Sequence, residues 1–304
     1  MAKRESTINY AYQKSVSYSQ YSMYKQCNFR WYLNYVKKQK VFKPSIHTLF
    51  GTSFHETIQE YLRLMYEESV KKSEEFDYEA FLKERMIVNY SEEKEKNKSE
   101  HYVSKEDFMA FIQDGVNILS WLKKHRKKYF TTKRVKLIGI EIPMEQYIVD
   151  DIPNVIMQGY IDIIFYDEDL KKYKIIDFKT STGGWKDSDK KDDLKLSQIL
   201  LYKHFYSRAL KITPEEVDVL FMIVKRRPFI SEEFPTHWVQ EIIPAQGKSK
   251  LKKSVEEFES FVRECFTKDA KYIDKEYQKN FNGCKWCEFK DRPDLCSKDR
   301  KSVV

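Results

Sequence analysis

The spacing of apolar residues changes character near residue 135. Before that point they recur at three- and four-residue intervals, the rhythm of amphipathic helices. Residues 17–40 predict one helix with a mixed face, and residues 53–72 another. The second is expected to open on a capping box, Ser53 at the N-cap with Glu56 three positions on. Residues 78–98 and 104–130 predict two highly charged helices, read as an insertion at about 73–130 lying over the core. From 135 the runs turn β-branched and aromatic, and 135–149, 154–166 and 172–180 predict three strands. A helix is expected over 194–211, strands over 216–226 and 236–244, and a long charged helix over about 248–275. An irregular, cysteine-bearing tail occupies about 280–304. The order of elements predicts one α/β domain over 1–304, with a mixed central sheet flanked by helices and a helical N-terminal region.

Composition narrows the classes. In 304 residues there are 8 glycines, and neither G-x-G-x-x-G nor G-x-x-x-x-G-K-[ST] occurs. A nucleotide-driven motor or dinucleotide-binding dehydrogenase is therefore not expected within the chain. Aromatic residues make up 15%, which argues against disorder. The N-terminal stretch has no apolar core of a signal peptide, and no run is long enough to span a membrane, so a cytoplasmic protein is expected.

The formal charge is +8, and residues 1–50 carry all of it: nine Lys and Arg against Glu5 alone. Tyr10, Tyr12, Tyr18, Tyr21, Tyr24, Trp31, Tyr32 and Tyr35 are interleaved with these cations. That mixture suits a nucleic acid, whose phosphates attract the charge and whose bases stack on rings. A solvated helix whose aromatics pack inward fits it equally.

The candidate chemistry lies in the segment 158–181. Asp162 and Asp177 are equidistant from the centre of the polar turn 167–172. A hairpin folded about that centre makes them cross-strand neighbours, with Cβ atoms about 5 Å apart. Lys179, two residues past Asp177, shares its strand face, and Phe178 points the other way. Paired carboxylates repel unless a cation lies between them, and their oxygens suit Mg²⁺ or Mn²⁺. Such an ion assists phosphodiester hydrolysis, with a lysine beside it to stabilise developing charge. A surface ion pair is the plain alternative.

Here a family resemblance enters. The acid pair and lysine resemble those of the PD-(D/E)XK nuclease superfamily. Gly159 to Asp162 resembles the G-x-x-D strand of its RecB-like branch, and Asp177-Phe-Lys179 the D-x-K strand. Gly51 to His55 resembles the G-x-x-x-H helix, and Gln198 to Tyr202 the Q-x-x-x-Y helix. Ser17 to Leu33 resembles the cysteine-bearing opening helix, with Asn28 in place of the usual proline. The resemblance implies a PD-(D/E)XK core and a metal-dependent deoxyribonuclease, exonuclease action on DNA ends or single strands, and roles in repair or recombination. His55, Asp162, Asp177 and the Phe178 carbonyl would hold the ion. Lys179 would assist the attack, Gln198 and Tyr202 would position substrate and lysine, and Glu141 would hold a second ion or a water. A separate helicase, CRISPR or recombination partner is implied, in a bacterial, archaeal or phage-infected cell. The rival is a non-catalytic nucleic-acid-binding or assembly subunit stabilised by a four-cysteine metal site.

Cys284-x-x-Cys287 on its own suggests zinc, a redox pair or an iron–sulfur cluster. Together with Cys27 and Cys296, it resembles the iron–sulfur members of that branch, which implies a [4Fe–4S] cluster joining the chain ends. The eight-residue gap before Cys296 exceeds the family spacing and leaves zinc as the other metal. Cys265, inside a predicted helix, is expected to be a buried thiol.

Overall fold

The computed structural model describes residues 13–40, 44–97 and 101–296. Lys3, Arg4, Glu5, Tyr10, Tyr12 and Lys43 of the basic segment lie outside them, as do residues 297–304 of the tail. In chain order the elements are β1 (Lys14–Val16), α1 (Tyr18–Gln26), α2 (Asn28–Trp31), α3 (Ile46–Arg63), α4 (Val70–Glu75), α5 (Tyr78–Asn97), α6 (Lys105–Lys124) and α7 (Arg126–Tyr129). There follow β2 (Val135–Tyr147), β3 (Val155–Asp167), β4 (Lys172–Ser181), α8 (Asp187–Lys190), α9 (Asp193–Leu210), β5 (Val217–Lys225), β6 (Val239–Ile242) and α10 (Lys248–Cys265).

The strands form one mixed sheet in the order β1-β3-β4-β5-β6, with β2 on the other side of β3. β4 and β5 run parallel; β2–β3, β3–β4 and β5–β6 are antiparallel. Helical layers cover both faces. On one, α1, α9 and α10 close over Ile175, Val219, Phe221 and Ile223. On the other, α3, α5 and α6 close over Ile176, Phe178, Leu220 and Met222. β5 reads as a continuous apolar run because alternate side chains enter opposite layers and both are buried. The buried Arg226 guanidinium donates to Asp114 at 2.9 Å and so ties α6 to the end of β5. Among the described residues no helix is long and apolar enough to cross a membrane.

Several predicted boundaries are corrected. The 17–40 helix is broken at Cys27, whose extended backbone ends α1 and starts α2; a π-helical turn, Tyr32–Val36, follows. The capping box at Ser53 does not form. α3 begins two turns earlier, capped by Ser45, whose hydroxyl accepts from the Thr48 amide at 3.2 Å. Ser53 is buried mid-helix and donates to the Leu49 carbonyl. α3 ends at Arg63 in a π-helical turn, Leu64–Glu68. α10 stops at Cys265, ten residues short of expectation, where Phe266 turns to extended backbone. The last strand is shorter than expected, Val239–Ile242. β1 was not expected; three residues long, it carries no alternation to read.

Candidate active site

The β3–β4 ladder begins where the turn predicts. Ile163 faces Ile176 and Asp167 faces Lys172, so continuing the register brings Asp162 opposite Asp177. The pairing stops one step short of that row. On the same edge of β3, the ladder with β1 ends at Met157, so residues 158–162 lie between two partners. β4 itself runs on in unbroken parallel pairing with β5 to Ser181. The Phe178 amide, no longer a ladder donor, gives its hydrogen bond to Asp162 Oδ2 at 2.8 Å.

The row extends into β2. Glu141 falls between the paired positions Ile140–Ile163 and Ile142–Ile161, opposite Asp162. It takes a left-handed backbone, φ 49°, which costs a non-glycine residue roughly 1–2 kcal/mol. Both strands change faces here. Ile142 and Ile161 pack into the α9 layer, whereas Ile140 and Ile163 enter the α3 layer. Three carboxylates, from Glu141, Asp162 and Asp177, thus lie along a kink where backbone pairing is interrupted.

α3 supplies His55, whose Nδ1 stands 3.7 Å from Asp162 Oδ2. Burial holds its pKa below the ordinary value, and the nearby Lys179 charge adds to the effect. The imidazole is therefore neutral near pH 7, with a ring nitrogen able to donate a lone pair. Lys179 Nζ lies 2.7 Å from Asp177 Oδ2. Burial works to lower its pKa, but the Asp177 and Asp162 charges outweigh that and hold it raised. Burial pushes both carboxyls up, to about 6 each, against the pull of Lys179. Asp177 is 2% exposed in its side chain, and its Oδ2 has no aligned hydrogen bond despite the close ammonium. A buried oxygen with a charge contact but no directed donor is poorly satisfied, and a hard cation answers that need.

On α9, Gln198 Nε2 donates to the Tyr202 hydroxyl at 3.2 Å. The buried Tyr202 ring stands over Gly159, at van der Waals distance from where a Cβ would lie. Burial, followed by the Asp177, Asp162 and Glu141 charges, raises the phenol's pKa. Glu141 is exposed and accepts from Gln59 Nε2 at 2.6 Å. Sequence reasoning missed Gln59, although it lies one helical turn after His55. It also missed the role of Tyr18, whose hydroxyl donates to the Leu194 carbonyl at 2.6 Å and links α1 to α9.

The cysteines form a second place of interest. Cys27, Cys284, Cys287 and Cys296 all line one narrow pocket. Cys27 Sγ accepts backbone N–H bonds from Arg30 and Asn280, each at 3.4 Å. The chain ends are also fastened by ordinary contacts. Arg30 and Asn34 both donate to the Glu288 carboxylate, and the Phe29 amide bonds the Gln278 carbonyl. Cys265 is fully buried and its thiol is pushed up to about 12 by that burial. Among the described residues, no three His, Cys, Asp or Glu side chains are drawn together as a ready metal cage.

Of the two readings of the N-terminal aromatics, inward packing holds for three of them. Tyr21, Tyr24 and Trp31 are core residues packed on Phe261 of α10 and are not available to stack on bases. Lys37 and Lys40 sit over the Tyr32 and Tyr35 rings at 5.4 and 5.0 Å.

A mixed sheet between two helical layers, with two acids and a lysine at the break in its central hairpin, defines an α/β protein with an acid–lysine site. A model of the PD-(D/E)XK nuclease superfamily matches residues 15–292, and the chain belongs to that superfamily. A search of curated proteins finds no match. Metal-dependent nuclease chemistry, with Mg²⁺ or Mn²⁺, follows from the membership.

Proposed function

We propose that the chain is a RecB-like deoxyribonuclease acting on DNA ends or single strands. The observation that carries this reading is the row Asp162–Asp177 with Lys179, set where β3 and β4 part. Asp162 and Asp177 would hold a Mg²⁺ or Mn²⁺ ion together with neutral His55 and the Phe178 carbonyl. The ill-satisfied Asp177 oxygen fits that role. When bound, the ion supplies Lewis-acid polarisation of the scissile phosphate. Lys179, held charged by its carboxylate neighbours, orients the attacking water and stabilises charge developing on the phosphate. Gln198 and Tyr202, bonded to each other beside Gly159, would help position the substrate and Lys179. Lys37, Lys38 and Lys40 are exposed and offer positive charge to the DNA backbone.

The test is digestion of end-labelled linear and closed circular DNA, single- and double-stranded, with Mn²⁺, Mg²⁺ or EDTA. Divalent-dependent release from linear ends, with circles resistant, supports the exonuclease. Cut circles indicate an endonuclease. A mobility shift with no products under any condition returns the protein to the rival class, a binding or assembly subunit.

The four cysteines lining one pocket support a [4Fe–4S] cluster. Anaerobically purified protein should absorb broadly in the visible, and serine at Cys27, Cys284, Cys287 or Cys296 should remove that absorption while serine at Cys265 leaves it. Colourless protein with stoichiometric zinc assigns the same thiolates to zinc.

A further inference from the structure

α3 crosses the sheet with a regular step. Gly51 packs over Thr180 of β4, where an added Cβ would come to 3.4 Å of the threonine hydroxyl. Four residues on, His55 reaches Asp162 of β3 at 3.7 Å. Four more residues on, Gln59 reaches Glu141 of β2 at 2.6 Å. Four helical residues rise about 6 Å, and neighbouring strands lie about 4.8 Å apart. An oblique helix therefore advances close to one strand per turn and presents one side chain to each strand in succession.

Gln59 is unusual at its station. It is 9% exposed, among the few buried polar residues of the helix, yet its partner is an exposed carboxylate. That partner holds a left-handed backbone at the point where β2 changes faces. A glutamate so placed can swing into solvent. The Gln59 amide, itself fixed by burial, pins one oxygen to the helix and keeps the carboxylate beside Asp162.

We infer that Gln59 is a positioning residue, holding Glu141 as the third acid of the row so that the Asp162 side of the site binds divalent cations through both carboxylates. This rests on the proposed metal site at Asp162 and Asp177. An oriented amide can do this because a hydrogen-bonding neighbour fixes the direction and mobility of a ligating carboxylate. Losing such a partner costs metal affinity roughly 10–100-fold.

The experiment uses metal-free full-length protein titrated with Mn²⁺ alone, followed by calorimetry, with melting curves in parallel. The variants are Gln59→Met, Glu141→Gln and the two combined. Methionine keeps the volume and packing of glutamine but lacks its N–H donors. Each single change should weaken Mn²⁺ binding about ten-fold, with melting close to wild type. The double variant should be no weaker than Glu141→Gln alone, since both act through one carboxylate. Wild-type affinity in Gln59→Met overturns the inference while leaving the metal site standing. Multiplying losses in the double variant also overturn it, because the two residues would then act independently. If the wild-type protein itself binds no Mn²⁺, the metal site falls and this inference falls with it.

Discussion

Lys179→Ala is expected to lower DNA cleavage by about 10²–10³-fold, the usual loss when one preorganised donor to a developing anion is removed. The reason lies in its setting. Lys179 projects from β4 on the same face as Asp177, two residues away, and its ammonium sits within 2.7 Å of that carboxylate. The side chain is 33% exposed, so truncation opens no core cavity. The Asp177 carboxyl, left without its cation, is pushed further up by burial, so the variant is to be compared at a pH and temperature where melting shows it folded. Mn²⁺ binding should not weaken at pH 8, because the ammonium contacts a carboxylate oxygen that the metal would use. Loss of turnover with retained metal binding separates assistance to the reaction from a structural ion pair. A folded variant that cuts at near the wild-type rate would remove Lys179 from the chemistry.

Asp177→Asn should abolish cleavage and at the same time change how stability responds to pH. Burial raises the Asp177 carboxyl from the ordinary 3.8 to about 6 in the folded protein. Between those values the folded chain holds more protons than the unfolded one. Stability from this group is therefore greatest in acid and falls as pH rises to about 6. Above that, the buried charge opposes folding by on the order of 2–3 kcal/mol. The asparagine cannot ionise, so it escapes this pH-dependent cost, whatever constant cost its amide carries. Denaturant unfolding in EDTA should show the variant gaining on the wild type by about 2 kcal/mol between pH 4 and pH 7.5. A difference flat across that range would mean Asp177 is not held against its charge. The cost of an ionised buried acid is tolerated at a site that needs it, which is the common conflict between stability and function.

The register of the central hairpin could be read from the chain because its turn is short and polar and its flanks are apolar. Counting outward from the centre of 167–172 already pairs Ile163 with Ile176. The kink one step further on could not be read. Nothing in Gly139-Ile-Glu141-Ile142 announces a left-handed glutamate, since the alternation of apolar residues continues through it. The face change shows only when the layers on either side are known. The start of α3 is obscured for a related reason. Ser53-x-x-Glu56 has the letters of a capping box, but Ser45 also precedes an apolar run, and only tertiary burial decides between them. In the N-terminal segment, composition could not separate aromatics that serve the core from those left to solvent. Tyr21, Tyr24 and Trp31 went to α10, while Tyr32 and Tyr35 lie under lysines. Gln59 is not legible in the sequence, because a glutamine on a helix carries no chemistry until its partner is seen.

The measurement closest to the central claim is single-turnover cleavage of end-labelled linear DNA by the wild-type protein and Asp177→Asn, each in Mn²⁺ and in EDTA. The expected result is cleavage by the wild type in Mn²⁺ alone, with none by Asp177→Asn in either condition although it still binds the DNA. Cleavage that persists in EDTA, or that survives in Asp177→Asn, would contradict a metal-dependent site built on Asp162, Asp177 and Lys179.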